Sequence, residues 1–146
     1  MAKTNVKTNV LPNNLEAEQA LLGCLLIDND TQTDILEKLT EEDFYQESHQ
    51  LIIGAMRAVF KARKPVDLVT LADQLENDNA LDKAGGLTYI TDLAKITPSA
   101  ANYKSYFEIV KRDSIHRRLI RASQKIIENS SEGTDAGESV AYAEKL

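Results

Sequence analysis

AANYKSYFEIVKRDSIHRRLIRASQKIIENS, residues 100–130, contains neither glycine nor proline. At about 100° per residue, helical periodicity gathers Tyr103, Tyr106, Phe107 and Val110 on one side. The polar stretch Lys111-Arg112-Asp113-Ser114 follows. Beyond it Ile115, Leu119, Ala122 and Ile126, flanked by Ile120 and Ile127, centre on roughly the opposite side. Such a segment is longer than the typical globular helix of ~10–14 residues. A straight helix here buries its first half against one body and offers its second half to another. A break near Asp113 would instead return both halves to one core.

Reading outward toward the C-terminus, Glu132-Gly133-Thr134 has turn composition. Asp135 can open a returning helix through Ser139, Val140, Tyr142 and Leu146, which would make a helical hairpin with the second half of the long helix. No glycine or proline ends that pattern at Leu146, so the hairpin is expected to continue in a longer protein.

Toward the N-terminus the pattern is also helical. Asn13 or Asn14 can cap a helix over Leu15–Ile27 through a side-chain oxygen, and Glu16 and Glu18 suit the positive end of its dipole. Asn29–Asp30 predict a break, followed by a short helix over Thr33–Leu39. Thr40-Glu41-Glu42-Asp43 resembles a capping box with Asp in the last place. Ser48 opens a helix with the stripe Leu51, Ile52, Ala55, Met56, Val59 and Phe60, which Pro65 stops. Asp67 can cap the next one, with Leu68, Leu71 and Leu75 inward. Gly85-Gly86 closes a turn around Leu81, and Thr88–Lys95 restarts before Pro98. No segment alternates with period two for long enough to make a strand. The predicted fold class is all-α: a polar tail over 1–11 carrying KTNV twice, a compact multi-helix head over 12–99, and over 100–146 a long helix with the start of a hairpin.

Composition sets the limits. The chain has 146 residues, 42% hydrophobic and 27% charged, which predicts one globular domain and no membrane span. The N-terminus lacks the apolar core of a secretion signal, and a single cysteine cannot form an internal disulfide. Together these predict a soluble intracellular domain. The net charge of −6 is unevenly spread: residues 15–99 hold 16 acids and 7 bases, whereas residues 100–130 hold 7 bases and 3 acids. An acidic body thus feeds into one basic segment.

Catalytic patterns are missing from the sequence. There is no GxxxxGK[ST] and no GxGxxG, and Cys24, His49 and His116 have no metal-ligand spacing. Cys24 sits in an apolar helix as a core residue would, His49 at a helix start suits a structural hydrogen bond, and Glu41-Glu42-Asp43 read as solvated partners of a helix dipole. No catalytic, cofactor or metal residue is assigned. Lys111, Arg112, Arg117, Arg118, Arg121 and Lys125 could touch phosphates, making a helical DNA-binding module over 104–125 the alternative reading. No aromatic residue is interleaved with these bases for stacking, so a solvated face is the plainer account. The apolar second face favours protein–protein packing.

In order along the chain, Pro12-Asn13-Asn14-Leu15-Glu16-Ala17-Glu18 with Leu22-Gly23, Asp43-Phe44-Tyr45 with His49, Pro65-Val66-Asp67 with Thr70, Gly85-Gly86 with Tyr89, and Thr97-Pro98-Ser99-Ala100-Ala101-Asn102 with Tyr106 and Arg118 resemble the N-terminal domain of the replicative DNA helicase family DnaB. The resemblance covers about residues 12–130 and leaves out 1–10. It implies a helical head and hairpin that pair into a collar on a hexameric motor within the primosome. Implied partners are other helicase subunits (a homo-oligomer), a DnaG-type primase and a helicase loader, with weak or indirect DNA contact and no membrane. ATP and Mg would belong to a separate motor domain, so no cofactor is expected in this chain and no ATPase or helicase site lies in it. The bacterial cytoplasm, at the nucleoid, or a plastid stroma is the implied location. The residues expected at the protein interface are Ile115, Leu119, Ile120, Ile126 and Ile127, with Arg117, Arg118 and Arg121 steering an acidic surface.

Overall fold

The computed structural model describes residues 10–133 and 135–146. Among them are seven α-helices and no strand: α1 Leu15–Ile27, α2 Asn29–Ile35, α3 Glu47–Lys61, α4 Leu68–Asn77, α5 Gly86–Lys95, α6 Tyr103–Ser131 and α7 Ala136–Lys145. Two 3-10 turns, Leu36–Lys38 and Glu41–Asp43, link α2 to α3. The chain forms two compact units, residues 13–114 (the head) and residues 10–12 with Ile115–Leu146. The expected tail lies, over residues 1–9, outside the described residues.

Helix starts in the head follow capping chemistry. Asn14 Oδ1 accepts from the Ala17 N–H at 2.9 Å, and Asp67 Oδ1 accepts from Thr70 N–H at 2.9 Å, each satisfying an amide the helix cannot. α2 begins at Asn29, four residues before the expected Thr33, because Asp28 is the cap: its carboxylate accepts from the Thr31 N–H at 3.0 Å and from the Thr31 hydroxyl at 2.6 Å. The break therefore falls on Asp28 itself.

Leu21, Leu22 and Leu25 of α1, Ile52, Ile53 and Met56 of α3, and Leu71 of α4 are fully buried and form the centre of the core. Tyr103, Tyr106, Phe107 and Ile109 of α6 lie partly buried against it, and Val110 belongs to it. The first apolar face of the long helix is thus used within the head. α1 also approaches α5 closely. A Cβ on Gly23 would overlap Thr97 Oγ1 and lie 2.6 Å from the Leu93 carbonyl oxygen, so only glycine lets the two backbones meet there.

Three buried polar side chains tie elements far apart in sequence. Gln32 donates from Nε2 to the carbonyls of Leu25 at 2.7 Å and Val66 at 2.9 Å. Glu18, 2% exposed, accepts from the Tyr45 N–H at 2.8 Å and from the Gln46 N–H at 3.4 Å, just before α3. Asp43 is fully buried, contrary to its reading as a solvated dipole partner. Its carboxylate accepts from the Thr40 N–H at 2.9 Å, the Lys111 ammonium at 2.9 Å and the Ser114 hydroxyl at 2.8 Å. Burial pushes the Asp43 carboxyl upward, but the bonds from Lys111, Thr40 and Ser114 outweigh it and hold the group below its ordinary 3.8. This clamp fastens the first half of α6 to the head.

Two outcomes follow from this packing. Gly23→Ala gains about 1 kcal/mol of helix propensity but forces an overlap costing about 1–3 kcal/mol, so urea unfolding should show a net loss; equal or greater stability would show that the α1–α5 approach is slack. Asp43→Asn should destabilise by about 2 kcal/mol at neutral pH. A carboxyl depressed in the folded state stabilises fully above its unfolded value and loses that contribution as pH falls through its folded value. The gap between wild type and Asp43→Asn should therefore be constant above pH ~5 and close below pH ~4; a gap that widens on acidification would contradict the clamp.

Candidate protein-interaction surface

α6 runs as one helix from Tyr103 to Ser131, through the polar Lys111–Ser114 stretch. Its residues past Ser114, with α7, belong to the second compact unit. Asp135 opens α7 by accepting from the Glu138 N–H at 3.1 Å, and Gly133 takes φ 69° in the turn before it, a conformation glycine adopts without a Cβ clash. No α7 residue is buried.

The expected interface residues divide by exposure. Ile115, Leu119 and Ile127 are 51–63% exposed, whereas Ile120 and Ile126 are half-buried. On α7, Val140 and Tyr142 are exposed as well. Ile115, Leu119, Ala122 and Ile126 repeat at the alternating four- and three-residue spacing that lines one helix stripe. Large apolar side chains left in water at that density make this face a candidate interaction surface.

The basic residues divide too. Arg118 and Arg121 are exposed. Arg117 is not a surface charge: it is 1% exposed and donates from Nη1 to the Pro12 carbonyl at 2.8 Å. Its role is to hold residues 10–12 within its own unit. A buried guanidinium cannot steer a partner, so of the three arginines Arg118 and Arg121 keep that reading. Lys111 belongs to the Asp43 clamp and stands 5.8 Å from the Phe107 ring centroid.

His49 and Cys24 both lie in the interior of the head. His49 is 1% exposed; its Nδ1 lies 2.8 Å from Glu18 and its Nε2 2.6 Å from the Tyr89 hydroxyl, which also accepts from Gln19 Nε2 at 3.3 Å. With Nδ1–H donating to the carboxylate and the Tyr89 hydroxyl donating to Nε2, every group has a partner. This relay from α1 through α3 to α5 escaped sequence reading, since its bonded partners lie up to 70 positions apart. The Cys24 thiol is pushed up to about 11, chiefly by burial and then by the charge of Asp28, so it is no nucleophile at neutral pH. Among the described residues no group of His, Cys, Asp and Glu could hold a metal ion, and no helix is long and apolar enough to cross a membrane.

A family model for the DnaB-like helicase N-terminal domain matches residues 10–112. The replicative DNA helicase DnaB of Buchnera aphidicola subsp. Baizongia pistaciae is 42% identical over 118 residues, covering 81% of this chain and 26% of that protein. The chain thus spans about a quarter of the length of this curated relative. Among solved structures, the N-terminal domain of DnaB helicase from Mycobacterium tuberculosis superposes with a TM-score of 0.86 at 34% identity, covering 93% of this chain and 96% of that one. A DnaB-like replicative helicase described together with its interactions with primase gives a TM-score of 0.78 at 28% identity, over 90% of this chain and 31% of that one.

The contrast between arginines is measurable. Arg117→Met should lower stability by about 2 kcal/mol by removing a buried charged donor, while Arg121→Met should stay within about 0.5 kcal/mol of wild type. Chemical unfolding followed by helix circular dichroism checks both; equal effects would place the two side chains in equivalent surroundings.

Proposed function

The chain belongs to the DnaB-like helicase N-terminal domain family, and on that premise we propose that it is the collar module of a hexameric replicative helicase. It assembles subunits and docks primase, while ATP hydrolysis and unwinding belong to the rest of the parent protein. The observation that carries this reading is the exposure of Ile115, Leu119 and Ile127 on α6 with Val140 and Tyr142 on α7. Burying such side chains yields about 25 cal/mol per Å², which is a driving force for a second copy of the hairpin to pack there. The relative described with its interactions with primase supports docking of primase by the same module. Arg118 and Arg121 border the apolar stripe, where positive charge raises association rates toward an acidic surface more than it adds affinity. A helicase loader and only weak or indirect DNA contact complete the proposed partners, and a bacterial cytoplasm or plastid stroma the location.

The test uses the full-length parent protein. Leu119→Asp with Ile127→Asp places two charges on the apolar face, where each would be buried unpaired on assembly at a cost of about 3 kcal/mol or more. Sedimentation should show loss of subunit pairing, with the folded helical content of the head retained. Wild-type assembly in that variant would remove the hairpin face from the interface. Salt-steep oligonucleotide binding by the isolated 146-residue chain would favour the DNA-binding alternative instead.

A further inference from the structure

The head carries a second feature, remote in sequence from α6. A cleft of about 620 Å³ opens beside the C-terminal end of α3, lined by Glu37, Phe60, Lys61, Arg63, Lys64 and Pro65. Residues 15–99 hold only 7 bases against 16 acids, yet three of those bases stand within four positions here. Lys61, Arg63 and Lys64 are all exposed, and among the described residues none of them forms an ion pair with an acid.

A helix C-terminus attracts cations simply because its last carbonyls are negative. That pull is weakened in this cleft, because the chain's own amides occupy the carbonyls. The N–H groups of Ala62, Arg63 and Lys64 donate to the carbonyls of Ala58, Phe60 and Val59 at 3.1, 3.0 and 3.2 Å. The closure needs a left-handed residue at position 63, the usual place of glycine. Arg63 fills it with φ 61°, a conformation that side chains other than glycine adopt rarely. A cation thus stands where local geometry favours the absence of a side chain; the same closure after α4 uses the uncharged Asn79 at φ 54°.

We propose that this cleft binds a phosphorylated nucleotide. Lys61, Arg63 and Lys64 take the phosphates as charge-assisted donors, and Phe60 with Pro65 gives the base an apolar wall. The Glu37 carboxylate can accept from the exocyclic amino group of adenine, cytosine or guanine. The volume falls within the range of small-ligand sites, about 300–1,000 Å³.

The experiment titrates the 146-residue chain with ATP, GTP, CTP and UTP, with inorganic tripolyphosphate, with a short oligonucleotide and with a glutamate-rich peptide, by calorimetry at two salt concentrations. Saturable binding of the amino-bearing nucleotides over UTP is expected, weakened about tenfold by Lys61→Ala with Lys64→Ala. Arg63→Gly is the control for folding: it suits the left-handed turn, so thermal stability should hold or rise while nucleotide affinity falls severalfold. No saturation into the millimolar range, or affinities unmoved by these substitutions, would overturn the site. Tripolyphosphate binding as tightly as the nucleotides would remove the base contact. Tighter binding of the oligonucleotide would overturn the free-nucleotide assignment in favour of a strand, and tighter binding of a glutamate-rich peptide would overturn it in favour of a protein.

Discussion

A carboxylate taken out of water must be paired or it costs several kcal/mol, and Asp43 is fully buried. The head meets this constraint with donors from two places: Thr40 one turn away, and Lys111 and Ser114 on α6. The first half of the long helix is therefore held by charge as well as by the apolar contacts of Tyr103, Phe107 and Val110. Glu18 and Gln32 work in the same manner on α3 and on the loop before α4. Fixed buried polar bonds of this kind specify one arrangement of helices where packing alone would tolerate several.

With the head's core closed by its own elements, the apolar residues beyond Ser114 are surplus to it. Ile115, Leu119 and Ile127 remain more than half exposed, and a lone two-helix unit has little apolar partner surface to offer them. Exposed apolar residues on α6 and α7 suit the assembly role proposed for this module. The Glu18–His49–Tyr89 relay ties three helices of the head together, its histidine having a partner on each ring nitrogen at 1% exposure.

What the sequence made legible was local or periodic. The stripe of α3, the caps Asn14 and Asp67, the Asp135 start of α7 and the two faces of α6 all follow from spacing within one or two turns, and the structure has each of them. What stayed hidden depends on partners distant in sequence. Lys111-Arg112-Asp113-Ser114 read as a polar break between two faces, whereas Lys111 and Ser114 reach Asp43 across 68 and 71 positions. Arg117 read as a surface charge because its acceptor, the Pro12 carbonyl, lies 105 positions away. Glu18 read as a dipole partner for its own helix, and instead receives the amides ahead of another. Periodicity reports which side of a helix is apolar; it carries no record of which polar residue folds back onto it.

In the proposed assembly the second half of α6 and α7 form a surface that another subunit completes. Hydrogen–deuterium exchange on the full-length protein, across a dilution series that takes it from assembled to dissociated, tests this most directly. Protection over Ile115–Ser131 and Ala136–Lys145 should fall on dissociation while that of α1, α3 and α5 is unchanged. Equal protection of the hairpin at every concentration, or loss confined to the head, would contradict it.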